Sequence, residues 1–291
     1  MKKKLLNICP CCSCDDLKIS EISLQDGPLL RCKQCGQLIS QCTEARYNIT
    51  MQQFDQSGVT LPQGKSIKRA FRLHSKRLAL IKKYCSNQAV QSIKLLDVGC
   101  SSGSFLLSAK TLGFNAEGVE PAKKAADTAR SLNLKVHNGY LESINFADNT
   151  FDFITLFEVI EHLVNPKQLL KECHRILKPK GLIMIGTGNT DSWTVRFMRE
   201  NWEYFNIDKH GGHVSFFNRS SMRKIASLSN FKVECIKTRC VQFYDKTQTN
   251  KTLLNNILNV FTKTFTELLN IPSQIFGFGH DMIAVLRKES A

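Results

Sequence analysis

From residue 94 onward the chain alternates short apolar runs with amphipathic stretches. Runs at Lys94 to Val98, Ala116 to Glu120 and Lys135 to His137 read as strands, and the stretches starting at Ser104 and covering Ala122 to Leu132 read as the helices between them. Strands are also expected at Phe151 to Phe157, Leu182 to Thr187, Phe231 to Lys237 and Asp281 to Arg287, which makes seven. Strands alternating with helices form a mostly parallel sheet covered on both faces, and such sheets gather ligands at the carboxyl ends of their strands. Upstream, Ser66 to Tyr84 reads as a helix with Ile67, Phe71, Leu78 and Ile81 on one face and Lys68, Arg69, Arg72, Lys76 and Arg77 on the solvated remainder. Residues 46–64 are polar and carry Gly58, Pro62 and Gly64, as a linker does. Between the last two strands, Leu253, Leu254, Ile257, Leu258, Phe261, Phe265 and Leu268 recur at helical intervals. Residues 242–278 therefore read as a helical insertion whose apolar stripe caps a substrate site or docks on a lipid surface.

The chemistry concentrates at the first strand-to-helix turn, Asp97-Val-Gly99-Cys100-Ser101-Ser102-Gly103-Ser104-Phe105. Gly99 and Gly103 let bare backbone approach a ligand, and the amides opening the next helix face any anionic group there. The glycines stand four apart and Ser104 holds the third place, which is not the spacing of a pyrophosphate cradle. A carboxylate ends the next strand at Glu120, before Pro121, where it can accept hydrogen bonds from two ribose hydroxyls. The pattern suits a nucleoside with a charged tail.

With Glu158-Val-Ile-Glu161-His162 after the fourth strand and Leu-Lys-Pro-Lys-Gly before the fifth, the order of segments resembles the class I S-adenosylmethionine-dependent methyltransferases, in the branch like the ubiquinone-biosynthesis O-methyltransferases. The resemblance covers roughly residues 94–288. It implies a seven-stranded Rossmann-like α/β sheet, an antiparallel last strand at the edge, and a helical lid before the first strand. It also implies S-adenosylmethionine as cofactor. Asp97 would brace the glycine loop and the methionine amino group, Glu120 the ribose and Tyr140-Leu141 the adenine edge, with Phe157 and Glu158 at the methionine end. Gly99, Cys100, Gly103, Phe105 and Pro121 complete the expected contacts. Ser101 stands where a glycine is usual, Lys180 replaces a glycine, Gly188 replaces a proline, and Tyr140 an acidic residue. His162, His210 and His213 are the candidate general bases, since imidazole titrates near neutrality.

Seven of the 12 cysteines lie within the first 42 residues. Cys9-x2-Cys12 and Cys32-x2-Cys35, separated by 19 residues, have the spacing of a zinc ribbon, with Gly36 in the second knuckle. Cys11 and Cys14 form an overlapping pair, so the first two ligands are open between the pairs, with Cys9 and Cys12 preferred because Pro10 follows the first. The expected layout is a ribbon over 1–45, a linker and lid over 46–92 and a catalytic domain over 93–291. Structural zinc would supply most of the ribbon's folding energy, and its removal is expected to unfold residues 1–45 alone.

A formal charge of +15 implies an anionic partner or surface. Acceptors of a small-molecule, glycan or lipid-linked kind fit, as does an anionic membrane surface; RNA is the competing acceptor, with the ribbon and basic surface binding it. A third reading is a ribbon-based binding module with an inert methyltransferase domain, against which Asp97, Glu120 and residues 158–162 are intact. The opening Met1 to Cys9 imitates a secretion signal, but Asn7 interrupts its apolar part. With no run apolar enough to span a bilayer, the expected location is cytoplasmic, with peripheral membrane contact as an option.

Overall fold

The computed structural model describes residues 3–57, 65–210, 212–243 and 266–289. The chain opens with β1 (Leu17–Leu24), β2 (Gly27–Cys32) and β3 (Leu38–Ile39), followed by α1 (Glu44–Ser57) and α2 (Lys65–Tyr84). The alternating part comprises β4 (Lys94–Val98), α3 (Ser104–Thr111), β5 (Asn115–Glu120), α4 (Lys123–Ser131), β6 (Val136–Asn138), β7 (Phe151–Phe157), α5 (Pro166–Ile176) and β8 (Leu177–Gly188). It continues with α6 (Trp193–Met198), α7 (Ile207–His210), β9 (Ser215–Phe216), α8 (Arg219–Leu228) and β10 (Phe231–Arg239). A helix over 266–276, α9, precedes β11 (Asp281–Lys288).

The expected seven strands form one sheet in the order β10-β11-β8-β7-β4-β5-β6. β4 to β8 run parallel, whereas β11 is antiparallel to both β8 and β10. The antiparallel last strand is therefore not at the edge, as expected, but one place in, with β10 outside it. Composition explains the exchange. Met282, Ala284, Val285 and Leu286 are all buried, which requires cover on both sides, while β10 carries Lys232, Glu234 and Lys237 at positions that tolerate water. α5 starts cleanly because the Asn165 side chain accepts the Gln168 amide and Pro166 fits the first turn.

Residues 46–57 are not linker: α1 occupies them. Its apolar periodicity is weak, so tertiary contacts hold it. Arg46 pairs with Asp26 at 2.7 Å and with Asp208 at 2.8 Å, and the Tyr47 hydroxyl donates to the His162 carbonyl at 2.9 Å. The α2 stripe is only half packed, since Leu78 and Ile81 are buried but Ile67 and Phe71 are exposed. Leu253 to Phe265 of the expected insertion lie outside the described residues. In α9, Leu268, Ile271, Ile275 and Phe276 face solvent, while Thr266 and Ser273 pack inward, so the expected core-facing stripe does not extend through Leu268.

The cysteine-rich segment is built into the larger domain. β9 joins β1-β2-β3 as a fourth strand, with Leu38 opposite Phe216 and Ile39 opposite Ser215. Ile22, Leu29 and Leu38 pack in one cluster with Val195, Trp202, Phe205 and Phe216. The Ser40 amide donates to the Val214 carbonyl at 2.9 Å. The ribbon thus has an apolar core shared with the catalytic part, so the two are expected to unfold together and not the ribbon alone. Phe216→Ala is expected to cost about 3–5 kcal/mol, the range for deleting a buried phenylalanine. Chelation should lower the midpoint of one cooperative thermal transition; calorimetry resolving a separate ribbon transition would contradict this coupling.

Candidate active site

The β4–α3 turn sits at the carboxyl end of the central strand. Gly99 has φ +73°, and a Cβ there would lie 2.5 Å from Val159 Cγ2, so the left-handed turn and the neighbouring loop both demand glycine. Ser101, in place of the usual glycine, is also left-handed at φ +49°, and its hydroxyl is buried without a hydrogen-bond partner. Glu120 braces the turn from β5, its carboxylate accepting the Ser101 amide at 2.8 Å and the Ala122 amide at 2.9 Å. Asp97 is buried and accepts the Thr155 hydroxyl at 2.6 Å; burial, partly offset by that bond and by Arg77, raises it to about 7.

The other expected cofactor residues divide. Phe105 forms the floor, edge-on to Phe157 at 5.1 Å, and Gly103 caps α3. Cys100 turns its thiol inward against Gly118 and Leu106, leaving only backbone for a ligand. The Pro121 carbonyl is taken by Asn138 Nδ2 at 2.9 Å. Leu141 is buried, but Tyr140 is 63% exposed and does not close over the cleft. Glu158 is exposed at the mouth, left-handed at φ +57°.

Arg77 belongs here too, although its sequence position suggested solvated surface. Its guanidinium lies 3.9 Å over the Phe157 ring, its Nε is buried without a partner, and Asp97 and Glu158 are close enough to act on its charge. Burial first, then Arg239, push it down to about 10, so it stays cationic at neutral pH. His74, one turn earlier, contacts Ser104 Oγ at 3.2 Å and Phe105 edge-on, and burial lowers it to about 4. His74, Arg77, Leu78 and Ile81 follow the i, i+3, i+4, i+7 spacing of one helix face, and that spacing was the available signal. A glycine cradle, a braced ribose-type carboxylate, an orphaned serine hydroxyl and a buried guanidinium together fit S-adenosylmethionine.

The three expected histidines converge beyond the end of β8. The His213 ring centroid is 4.5 Å from His162 and 5.1 Å from His210. His213 Nδ1 lies 2.8 Å from the Tyr204 carbonyl. A carbonyl only accepts, so the proton sits on Nδ1 and the Nε2 lone pair is left available. Burial, then His162 and His210, hold His213 well below the usual imidazole range. Thr187 and the Tyr204 hydroxyl are 3.0 Å apart, and Trp202 stacks on Tyr204. Glu161 is fully buried with neither carboxyl oxygen hydrogen-bonded, and burial, reinforced by Glu158, raises it far above the carboxylate range.

At the ribbon, the sulfurs of Cys9, Cys12, Cys32 and Cys35 lie within 4.8 Å of one another. Four sulfurs so gathered fit tetrahedral zinc. Cys11 instead points its thiol at the Ser221 carbonyl, 3.2 Å away, and Cys14 at the Asp16 carbonyl. That favours the first of the two overlapping pairs.

The family described as "Methyltransferase domain" matches residues 44–236, more than half of the chain. The chain belongs to this methyltransferase family. The methyltransferase is 31% identical over 109 residues to the ubiquinone biosynthesis O-methyltransferase of Maricaulis maris, covering 35% of this chain and 43% of that one. It is 28% identical over 161 residues to the Coxiella burnetii protein of the same name, covering 52% and 69%. The match thus spans about half the length of the first curated relatives. Among solved structures, an S-adenosylmethionine-dependent methyltransferase from Thermotoga maritima aligns with TM-score 0.51 at 19% identity, covering 84% of this chain and all of that one. A Haloferax volcanii methyltransferase in complex with the Trm112 activator aligns with TM-score 0.52 at 15% identity, covering 77% and 95%. The fold is that of the class I S-adenosylmethionine-dependent methyltransferases. No helix among the described residues is long and apolar enough to cross a membrane.

Two outcomes are expected for S-adenosylhomocysteine binding by calorimetry. With Asp97 as the expected partner of the ligand ammonium, its protonation below about pH 7 removes that attraction and its ionisation above restores it, so affinity should rise from pH 6 to pH 8. Glu120→Ala should weaken binding at least several-fold and, by stranding two amides, cost about 1–3 kcal/mol of stability. Unaltered affinity in that variant would remove Glu120 from the site.

Proposed function

We propose that this methyltransferase transfers a methyl group from S-adenosylmethionine to a hydroxyl of a small-molecule acceptor, with His213 taking the proton. The observation carrying this reading is Nε2 of the buried His213, locked in its tautomer by the Tyr204 carbonyl, next to the Thr187–Tyr204 hydroxyl pair at the carboxyl end of β8, where an acceptor chamber would lie. The similarity to ubiquinone biosynthesis O-methyltransferases supports oxygen as the accepting atom.

Bound S-adenosylmethionine supplies an activated methyl on a sulfonium sulfur, so little covalent help is asked of the protein. Glu120 would hold the ribose hydroxyls, Asp97 the ammonium and Arg77 the carboxylate. Trp202 and Tyr204 would wall the acceptor chamber and exclude water. As the new carbon–oxygen bond forms, the methyl carbon–sulfur bond breaks and leaves its electron pair on sulfur as a neutral thioether, while the acceptor O–H bond gives its electrons to oxygen and its proton to His213 Nε2, where the positive charge ends. The low proton affinity of free His213 keeps Nε2 open at neutral pH. His162 and His210 orient and crowd the ring. The four ribbon cysteines would hold zinc and so fix the strand that follows His213.

The test is to follow S-adenosylhomocysteine release with catechol as a generic hydroxyl acceptor and an aromatic amine for comparison. Transfer is expected to catechol, and His213→Ala should lower kcat about 10²–10⁴-fold, as loss of a general base does, with KM for S-adenosylmethionine unchanged. Equal kcat in that variant, or transfer to the amine alone, would overturn the proposal.

A further inference from the structure

A second cleft adjoins the transfer site on the far side of Arg77. α2, β10, β11 and α9 enclose a cavity of about 160 Å³. Its polar lining is Lys76, Arg77, Lys237, Thr238, Arg239 and Gln274, four cations and no carboxylate. Thr238 and Gln274 are already committed, donating to the Ser273 and Asn270 carbonyls. The arginine Nε atoms are not: both Arg77 Nε and Arg239 Nε are buried without a hydrogen-bond partner. Asp281 forms an ion pair with Arg239 at 3.9 Å from Nε, too long for a hydrogen bond.

Gathering like charges around one cavity is unfavourable unless something neutralises them. An oxyanion does so, and guanidinium forks are shaped to grip one through paired N–H donors. The volume exceeds that of several waters at about 30 Å³ each, enough for a phosphate or carboxylate.

The position ties this cavity to the reaction. Arg77 forms the shared wall, one side over Phe157 in the cofactor cleft and the other in the cavity. Arg239 is opposite Asp281 in the sheet, and Asp281 is opposite Gly188, which abuts Trp202 and Tyr204 of the acceptor chamber. Tyr204 in turn packs on His213, so one strand ladder links the cavity to the histidine cluster.

We propose that the cavity is an acceptor-anion site, in which Arg239, Lys237 and Lys76 seat a phosphate or carboxylate carried by the methyl acceptor. The site rests on the methyl-transfer reading for its role, though not for its existence. It makes the acceptor an anionic molecule.

Full-length protein is titrated calorimetrically with pyrophosphate and, separately, with benzoate, each with and without saturating S-adenosylhomocysteine. One-site saturable binding of at least one anion is expected, and the preferred anion tells phosphate from carboxylate. Lys237→Gln with Arg239→Gln should weaken it at least tenfold, while Lys171→Gln on the distant α5 surface changes it less than twofold and S-adenosylhomocysteine affinity is kept in both. Absence of saturable binding of either anion, or equal affinity in the double variant, overturns the proposal. Failure of the wild-type protein to bind S-adenosylhomocysteine counts instead against the methyl-transfer reading, and the anion titrations without it still decide the cavity.

Discussion

Two residues of extended backbone, Ser215 and Phe216, connect the parts of this protein. Through β9 they complete the ribbon sheet opposite Leu38 and Ile39. Immediately before them, the Val214 amide donates to the Glu161 carbonyl at 3.0 Å, and one residue earlier stands His213. A strand position is set by its ladder to within a fraction of an ångström, because slipping one residue reverses every side chain. Metal knuckles, histidine loop and the turn after β7 therefore share one register. In the proposed reaction the ribbon would back the loop that carries His213.

The chamber's electrostatics follow from desolvation. Burial drives Asp97 and Glu161 toward their neutral forms and Arg77 and His213 away from their charged ones. In the proposed reaction a ligand would supply each with a partner: an ammonium for Asp97, a carboxylate for Arg77, an acceptor proton for His213. The same logic extends across Arg77 to Arg239, where cations line a cavity without an acid among them. The basic surplus noted in the sequence thus has one specific local concentration.

Local pattern carried much of this. The strand runs at Phe151 to Phe157 and Lys94 to Val98 appear where the apolar periodicity put them, because a strand buried on both faces tolerates few polar residues. The glycine turn and Glu120 were legible because a tight left-handed bend leaves little choice of residue. α1 was not, because its hold comes from Arg46 and Tyr47 reaching distant partners. Arg77 was misassigned for a related reason: a basic residue beside an apolar stripe is usually solvated, and only the placement of Phe157 under it makes this one different.

By itself, the sequence determined the alternating α/β architecture, the nucleoside-binding turn and the paired-cysteine ribbon pattern, with the choice between Cys9/Cys12 and Cys11/Cys14 left open, since each is a matter of spacing along a short stretch. Tertiary structure alone decided which strand lies at the sheet edge, that three histidines from two loops meet, that a strand of the catalytic part completes the ribbon sheet, and that four cations line one cavity. Those features depend on residues dozens to hundreds of positions apart becoming neighbours, and packing of the whole chain, not local preference, selects such pairs.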